Sequence, residues 1–184
     1  MKRRLLRIGA GLLVALAALS LAAEKQEPAA FEFRKVEYFH RWSQGNQHEF
    51  TPAKQEDLEH WTDMITINGY PGVDDAEKMA GAANAVLANY QRAKGKVLNS
   101  RSAPKTDERP AEHFICVRFV RPQFVEIAFA RFKLVENKGH SFVYSHRAYG
   151  DGAQEKMDEW FKTNRAEVEK ALMDWEPPPA SSLR

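Results

Sequence analysis

The chain has 184 residues, 43% of them hydrophobic and 28% charged, the proportions of an ordinary globular protein. Its 27 Lys and Arg stand against 25 Asp and Glu, but four of the basic residues (Lys2, Arg3, Arg4 and Arg7) sit at the extreme N-terminus, and without them the balance is 23 to 25. No persistent basic face is then expected, which argues against nucleic-acid binding. The single cysteine, Cys116, excludes an internal disulfide and a cysteine-based zinc site.

The basic cluster is followed by the apolar stretch Ile8–Leu21, interrupted only by Ser20, and Ser20 and Ala22 supply a small-x-small ending. A charged start, a short apolar run and small residues form the plan of a secretory signal, with cleavage expected after Ala22 or Ala23. The run is shorter than the roughly 20 apolar residues that span a bilayer, so a retained anchor is disfavoured. No cysteine near the cleavage point invites a lipid, and Arg3-Arg4 alone is a weak twin-arginine signal. The expected organisation is a signal peptide over 1–22, a flexible leader over 23–30, one α+β domain over 31–175 and a disordered tail over 176–184. The expected location is periplasmic or secreted, with no membrane span after cleavage. About 160 residues are enough for one hydrophobic core without staples.

Large side chains on both alternating faces make Phe31–Trp42 a strand. Gly45-Asn46 suits a tight hairpin turn, with a return through Gln47–Thr51. Thr51-Pro52 can open a short helix that carries Leu58 and Trp61 inward. Met64–Ile67 reads as a further strand. Asp74 with Glu77 starts a long helix that Gly95 stops; Ala76, Met79, Ala80, Ala83, Val86, Leu87 and Tyr90 share its inner face. Lys96–Ser100 is a candidate strand. Three strands follow, His113–Val120, Phe124–Val135 and His140–Tyr149, joined by Arg121-Pro122-Gln123 and Asn137-Lys138-Gly139. A second long helix starts near Asp151, buries Met157, Trp160, Phe161, Val168 and Leu172, and ends before the prolines that follow Glu176. The fold class is α+β, an antiparallel sheet of about five to seven strands covered by two long helices and a short one.

A three-residue loop at Asn137–Gly139, with Gly in the left-handed position, pairs Leu134 with Phe142, Phe132 with Tyr144 and Ala130 with His146. That register gathers the alanines 128, 130 and 148 with Phe132, Leu134, Phe142, Tyr144 and His146 on one apolar face. It leaves Arg131, Lys133, Ser141, Ser145 and Arg147 on a solvent face. His113 joins the apolar face from the preceding strand. His113, Ala130, Tyr144 and His146 are thus the candidate lining of a ligand pocket beneath the helices. The bland alternative fills that space with Trp160 and Phe161 as ordinary core packing.

No metal site or cofactor is expected. The six histidines lack close His-x-His or His-x-x-x-His spacing, and a simple Gly45-Asn46 hairpin sends His40 and His48 to opposite faces. There is no Gly-x-Ser-x-Gly elbow and no Gly-rich phosphate loop. Cys116, in the apolar run Phe114–Val120, reads as a packed thiol. The aromatics Phe39, Trp42, Trp61 and Tyr70 read as core rather than as a sugar- or peptide-binding surface. The functional expectation is an exported, non-catalytic domain binding a partner protein or a small ligand. The alternatives are a small periplasmic enzyme using His113, His146 and Tyr144, or a structural component of an envelope assembly.

Overall fold

The structure is a computed structural model that describes residues 28–107 and 109–178. The expected signal peptide, most of the leader and the end of the expected tail lie outside the described residues. Eight strands form one antiparallel sheet: β1 (Phe31–Phe33), β2 (Val36–Gln44), β3 (Gln47–Pro52), β4 (Asp63–Tyr70), β5 (Lys96–Ala103), β6 (Glu112–Val120), β7 (Phe124–Val135) and β8 (Lys138–Tyr149). Their spatial order is β1-β2-β3-β4-β8-β7-β6-β5. Helix α1 (Ala76–Arg92) connects β4 to β5, and the longer α2 (Ala153–Asp174) follows β8.

The fold expectation is corrected in three respects. The sheet has eight strands rather than five to seven, because Phe31–Trp42 is two strands joined by a turn at Arg34-Lys35 and every other candidate strand joins the same sheet. The helices are unequal, 17 and 22 residues long. The short helix at Thr51-Pro52 does not form. Both residues are strand positions at the end of β3, paired with β2, and the buried Thr51 hydroxyl donates to the Gln55 carbonyl, closing a turn instead.

Each face of the sheet carries one helix. Met79 and Ala83 of α1 pack on Ile115, Val117, Ala128, Ala130, Phe132 and Val143. Met157, Val168 and Leu172 of α2 pack on the residues between them in sequence, such as Cys116, Ile127, Phe129, Phe142 and Tyr144. With both faces covered, apolar residues stand at adjacent positions in the central strands, over Phe114–Val117 of β6, Ile127–Ala130 of β7 and Phe142–Tyr144 of β8. Asp75, rather than Asp74, caps α1, its carboxylate accepting the Lys78 amide at 2.7 Å.

The β7–β8 register is also corrected. Val135 pairs with Lys138 and Leu134 with Gly139, across a two-residue turn in which Glu136 (φ 51°) and Asn137 (φ 58°) are left-handed. Phe129 therefore faces Tyr144 and Ile127 faces His146. The observed partners lie three positions from the expected ones, an odd slip that reverses the face of one strand against the other. Phe132, Ala130 and Ala128 lie under α1, while Phe142, Tyr144 and His146 lie under α2. The expected solvent face is buried instead: Arg131, Lys133, Ser141 and Ser145 are all core positions.

Gly139 explains the misplacement. It sits in β8, where its amide donates to the Val73 carbonyl at 2.6 Å and an added Cβ would come within 2.5 Å of Val73 Cγ1. The glycine admits a backbone approach rather than making a turn.

A last correction concerns the first long hairpin. Gln44 pairs with Gln47 across Gly45-Asn46 as expected, but the register shifts between His40 and Trp42. The extra residue is Arg41, whose guanidinium donates to Thr51 Oγ1 (2.9 Å) and to the Pro52 carbonyl (3.2 Å). This β-bulge pairs His40 with Phe50 rather than with Thr51, so His40 shares a face with His48.

Candidate functional site

The β4–β8 pairing places a carboxylate opposite a histidine. Asp63 and His146 are direct cross-strand partners, and Ile65 faces Tyr144 two pairs along. Asp63 Oδ1 accepts two hydrogen bonds, from the Tyr144 hydroxyl at 2.6 Å and from His146 Nδ1 at 2.9 Å. Burial pushes the Asp63 carboxyl up, but these two bonds, with the charges of His146 and Arg34, outweigh it and hold the group below the usual carboxylate range. The carboxylate is thus ionised at neutral pH and holds a proton on His146 Nδ1; in the neutral form of that ring Nε2 is then the acceptor.

Apolar walls surround this polar centre. The Trp160 ring of α2 lies flat on the His146 ring, with centroids 3.9 Å apart and planes 5° from parallel. Phe33, Val36 and Tyr38 of the β1–β2 hairpin, and Pro52 of β3, complete a cleft of about 270 Å³. Burial, then the Asp63 charge, raises the Tyr38 phenol above its ordinary value, and the same two causes act more strongly on Tyr144. Both phenols stay neutral, and Tyr144 stays a donor. Arg34 lies at the cleft margin, its guanidinium 3.1 Å from Glu167 of α2. It occupies the left-handed region (φ 52°), as does Lys35 (φ 63°), so two long side chains stand where a hairpin turn favours Asn-Gly.

Of the four pocket candidates, the structure joins two. Tyr144 and His146 meet in this cleft. His113 and Ala130 lie on the opposite face, under α1, with His113 Nδ1 2.7 Å from Ser102 Oγ and Ala130 fully buried. A pocket shared by all four does not form, because the register slip puts the sheet between them. Burial lowers the His113 pKa, which keeps that ring neutral. Cys116 is buried, and burial lifts its thiol to about 12, so it is a core residue without thiolate character. Trp61 is core, as expected, and lies under the Arg147 guanidinium at 3.9 Å.

Asp63 was not among the sequence candidates. Its only local signal is a carboxylate at the start of an apolar strand, and its partner is 83 residues away. A second, wider groove of about 1010 Å³ runs between the β5–β6 connection and the C-terminal half of α2. Its charged side chains largely satisfy one another, as in Arg101–Glu169 and Lys170–Asp174. Among the described residues no helix is long and apolar enough to cross a membrane.

A protein-family model matches residues 26–176. The chain belongs to that family. The matched span covers every strand and both helices, so family membership extends to the whole sheet and to the cleft between β1, β4, β8 and α2. No curated protein matches. Among solved structures, the Ran-binding protein Mog1p of Saccharomyces cerevisiae is 8% identical, with a TM-score of 0.48, over 80% of this chain and 89% of that one. A mutant of protein Mog1 is 7% identical with a TM-score of 0.47, over 74% and 83%. Human STARD10 is 5% identical with a TM-score of 0.30, over 75% and 74%. At these values the likeness carries nothing about function.

Proposed function

We propose that the protein is an exported, non-catalytic binding domain whose α2-side cleft takes a small ligand, or one side chain of a partner, that offers an N–H or O–H group. One observation carries this reading: Asp63 anchors His146 through Nδ1 in a cleft walled by Trp160, Phe33 and Tyr38, so the neutral ring offers its Nε2 lone pair to an occupant. The volume of about 270 Å³ is just under the range of roughly 300–1,000 Å³ typical of small-molecule sites, and it suits a compact occupant. Export rests on the basic cluster, the apolar run and the small-x-small ending of the first 22 residues. Intact-mass measurement of the protein from the exporting cell is expected to show a chain beginning at Ala23 or Glu24. A mature chain that still carries Met1–Ala22 overturns the export reading.

The binding reading is tested by native purification from that cell, followed by mass spectrometry of what accompanies the wild type and the His146→Ala variant. A species present with the wild type and lost with the variant supports it. Identical companions in both sink it. A second reading has a specific observation in its favour, since a histidine oriented by a buried carboxylate is the base–orienter pair of acid–base catalysis. Turnover on a broad hydrolase panel that His146→Ala abolishes would establish that reading in place of the first.

A further inference from the structure

We propose that His40 and His48 form a site for a divalent transition metal that favours imidazole ligands, such as Zn²⁺, on the β2–β3 hairpin. The site is separate from the cleft and rests on none of the reading above. Its basis is the bulge at Arg41, which brings His40, Ser43 and His48 to one face. His40 Nε2 lies 2.6 Å from Ser43 Oγ, and His48 Nδ1 lies 2.7 Å from the same oxygen. Two imidazole nitrogens from neighbouring strands therefore converge on one point.

The hydroxyl also reveals where lone pairs are aimed. A serine hydroxyl has one proton, so when both contacts are hydrogen bonds it donates to one ring and accepts from the other. One nitrogen therefore already directs a lone pair at the centre. The other becomes a ligand when its ring changes tautomer or releases that proton to solvent, the usual proton coupling of metal binding. Zinc–nitrogen bonds are about 2.0–2.1 Å, so an ion held by both rings takes the place that the Ser43 hydroxyl now bridges, and the hydroxyl turns aside to admit it.

The rings are positioned for this. The His40 ring stands edge-on to Phe50 at 5.3 Å, the two imidazole centroids are 6.2 Å apart, and the Arg41 hydrogen bonds to β3 hold the bulge. Bulges commonly re-aim a side chain at a site. Among the described residues no group of three or more His, Cys, Asp or Glu side chains converges, so the remaining coordination positions fall to water and the Ser43 oxygen. An open, exchangeable site of modest affinity follows, with imidazole selecting zinc, copper or nickel over magnesium and calcium.

The probe is Zn²⁺, titrated calorimetrically into the purified protein. One saturable site is expected, weakened by about tenfold or more in His40→Gln and again in His48→Gln, since loss of a ligand costs at least as much as loss of an outer-shell partner. Ser43→Ala is expected to retain binding, and His60→Gln, which alters an exposed imidazole paired with Asp57, is expected to leave it unchanged. In the wild type, nitrogen-15 spectra should show Zn²⁺ shifting His40 Nε2 and His48 Nδ1 together, a readout independent of how any variant folds. Absence of saturable uptake by the wild type overturns the proposal. So does affinity in His48→Gln equal to that of the wild type.

Discussion

At Asp63 one oxygen serves two buried donors, and removing it strands both. Asp63→Ala leaves the Tyr144 hydroxyl and His146 Nδ1 without an acceptor, and each such loss costs about 1–3 kcal/mol. A destabilisation of about 2–6 kcal/mol is expected in urea unfolding at pH 7. An unchanged midpoint would mean that water replaces the carboxylate without penalty. The sign of the pH dependence follows from the same contacts. The folded pKa of Asp63 is depressed, so its stabilising contribution is complete above the unfolded value, about 3.9, and is lost as pH falls through the folded value. His113 acts in the same direction at higher pH: burial lowers its pKa, and below about 6.5 the unfolded chain takes a proton that the native ring resists. Wild-type stability should therefore fall on acidification in two stages. Asp63→Asn should shrink the lower stage, to which the depressed carboxyls of Asp57, Asp74 and Asp174 also contribute, and leave the upper one in place, as measured by unfolding free energies between pH 3 and pH 8.

At the scale of elements, hairpins decide which residues meet, and two of them use left-handed residues other than glycine. Lys35 (φ 63°) in the β1–β2 turn pays a backbone cost that glycine avoids. Lys35→Gly is expected to raise stability by about 1 kcal/mol, read from the urea midpoint at constant slope, and an unchanged or lower midpoint would show the turn to be unstrained. Gly139 gives the opposite case. Gly139→Ala drives a methyl group against Val73 and should destabilise by about 1–3 kcal/mol. These turns also mark the limit of what the sequence discloses. Alternation and turn signals placed six of the eight strands separately and helical spacing found both helices, though not their unequal lengths, because those patterns record burial directly. The Glu136-Asn137 turn has no glycine, while the neighbouring Gly139 looks like a turn residue and is a contact residue. That one ambiguity shifted the register by an odd number and sent His113 and Ala130 to the wrong face. The Arg41 bulge, equally unmarked, hid the convergence of His40 and His48. Tyr144 and His146 were legible as inward-facing, whereas Asp63 was not, since nothing local announces a strand pairing that spans 83 residues.

On the scale of the whole molecule, the last helix is tied to the sheet by a cation that the sequence pattern assigned to solvent. Arg131 of β7 is 3% exposed, pairs with Glu112 of β6 at 2.7 Å and donates to the Leu172 and Trp175 carbonyls at the end of α2. A positive charge at a helix C-terminus meets the carbonyls that have no partner in the helix and the negative end of its dipole. One side chain thus joins two strands to the helix that also carries Trp160 over the cleft. Removing it leaves the largely buried Glu112 carboxylate, 12% exposed, without its partner, and breaking a buried pair costs up to about 3–5 kcal/mol. Arg131→Ala should therefore destabilise the fold by that amount, read from the urea midpoint. Because Trp160 rides on the same helix, loosened docking of α2 should also reach the cleft, seen as a changed Trp160 fluorescence that the wild type shows only near its unfolding transition. Arg131→Met tests the physics separately. It keeps the packing while removing the charge, and if it destabilises as much as Arg131→Ala, the carbonyl and carboxylate contacts rather than lost volume hold α2 in place.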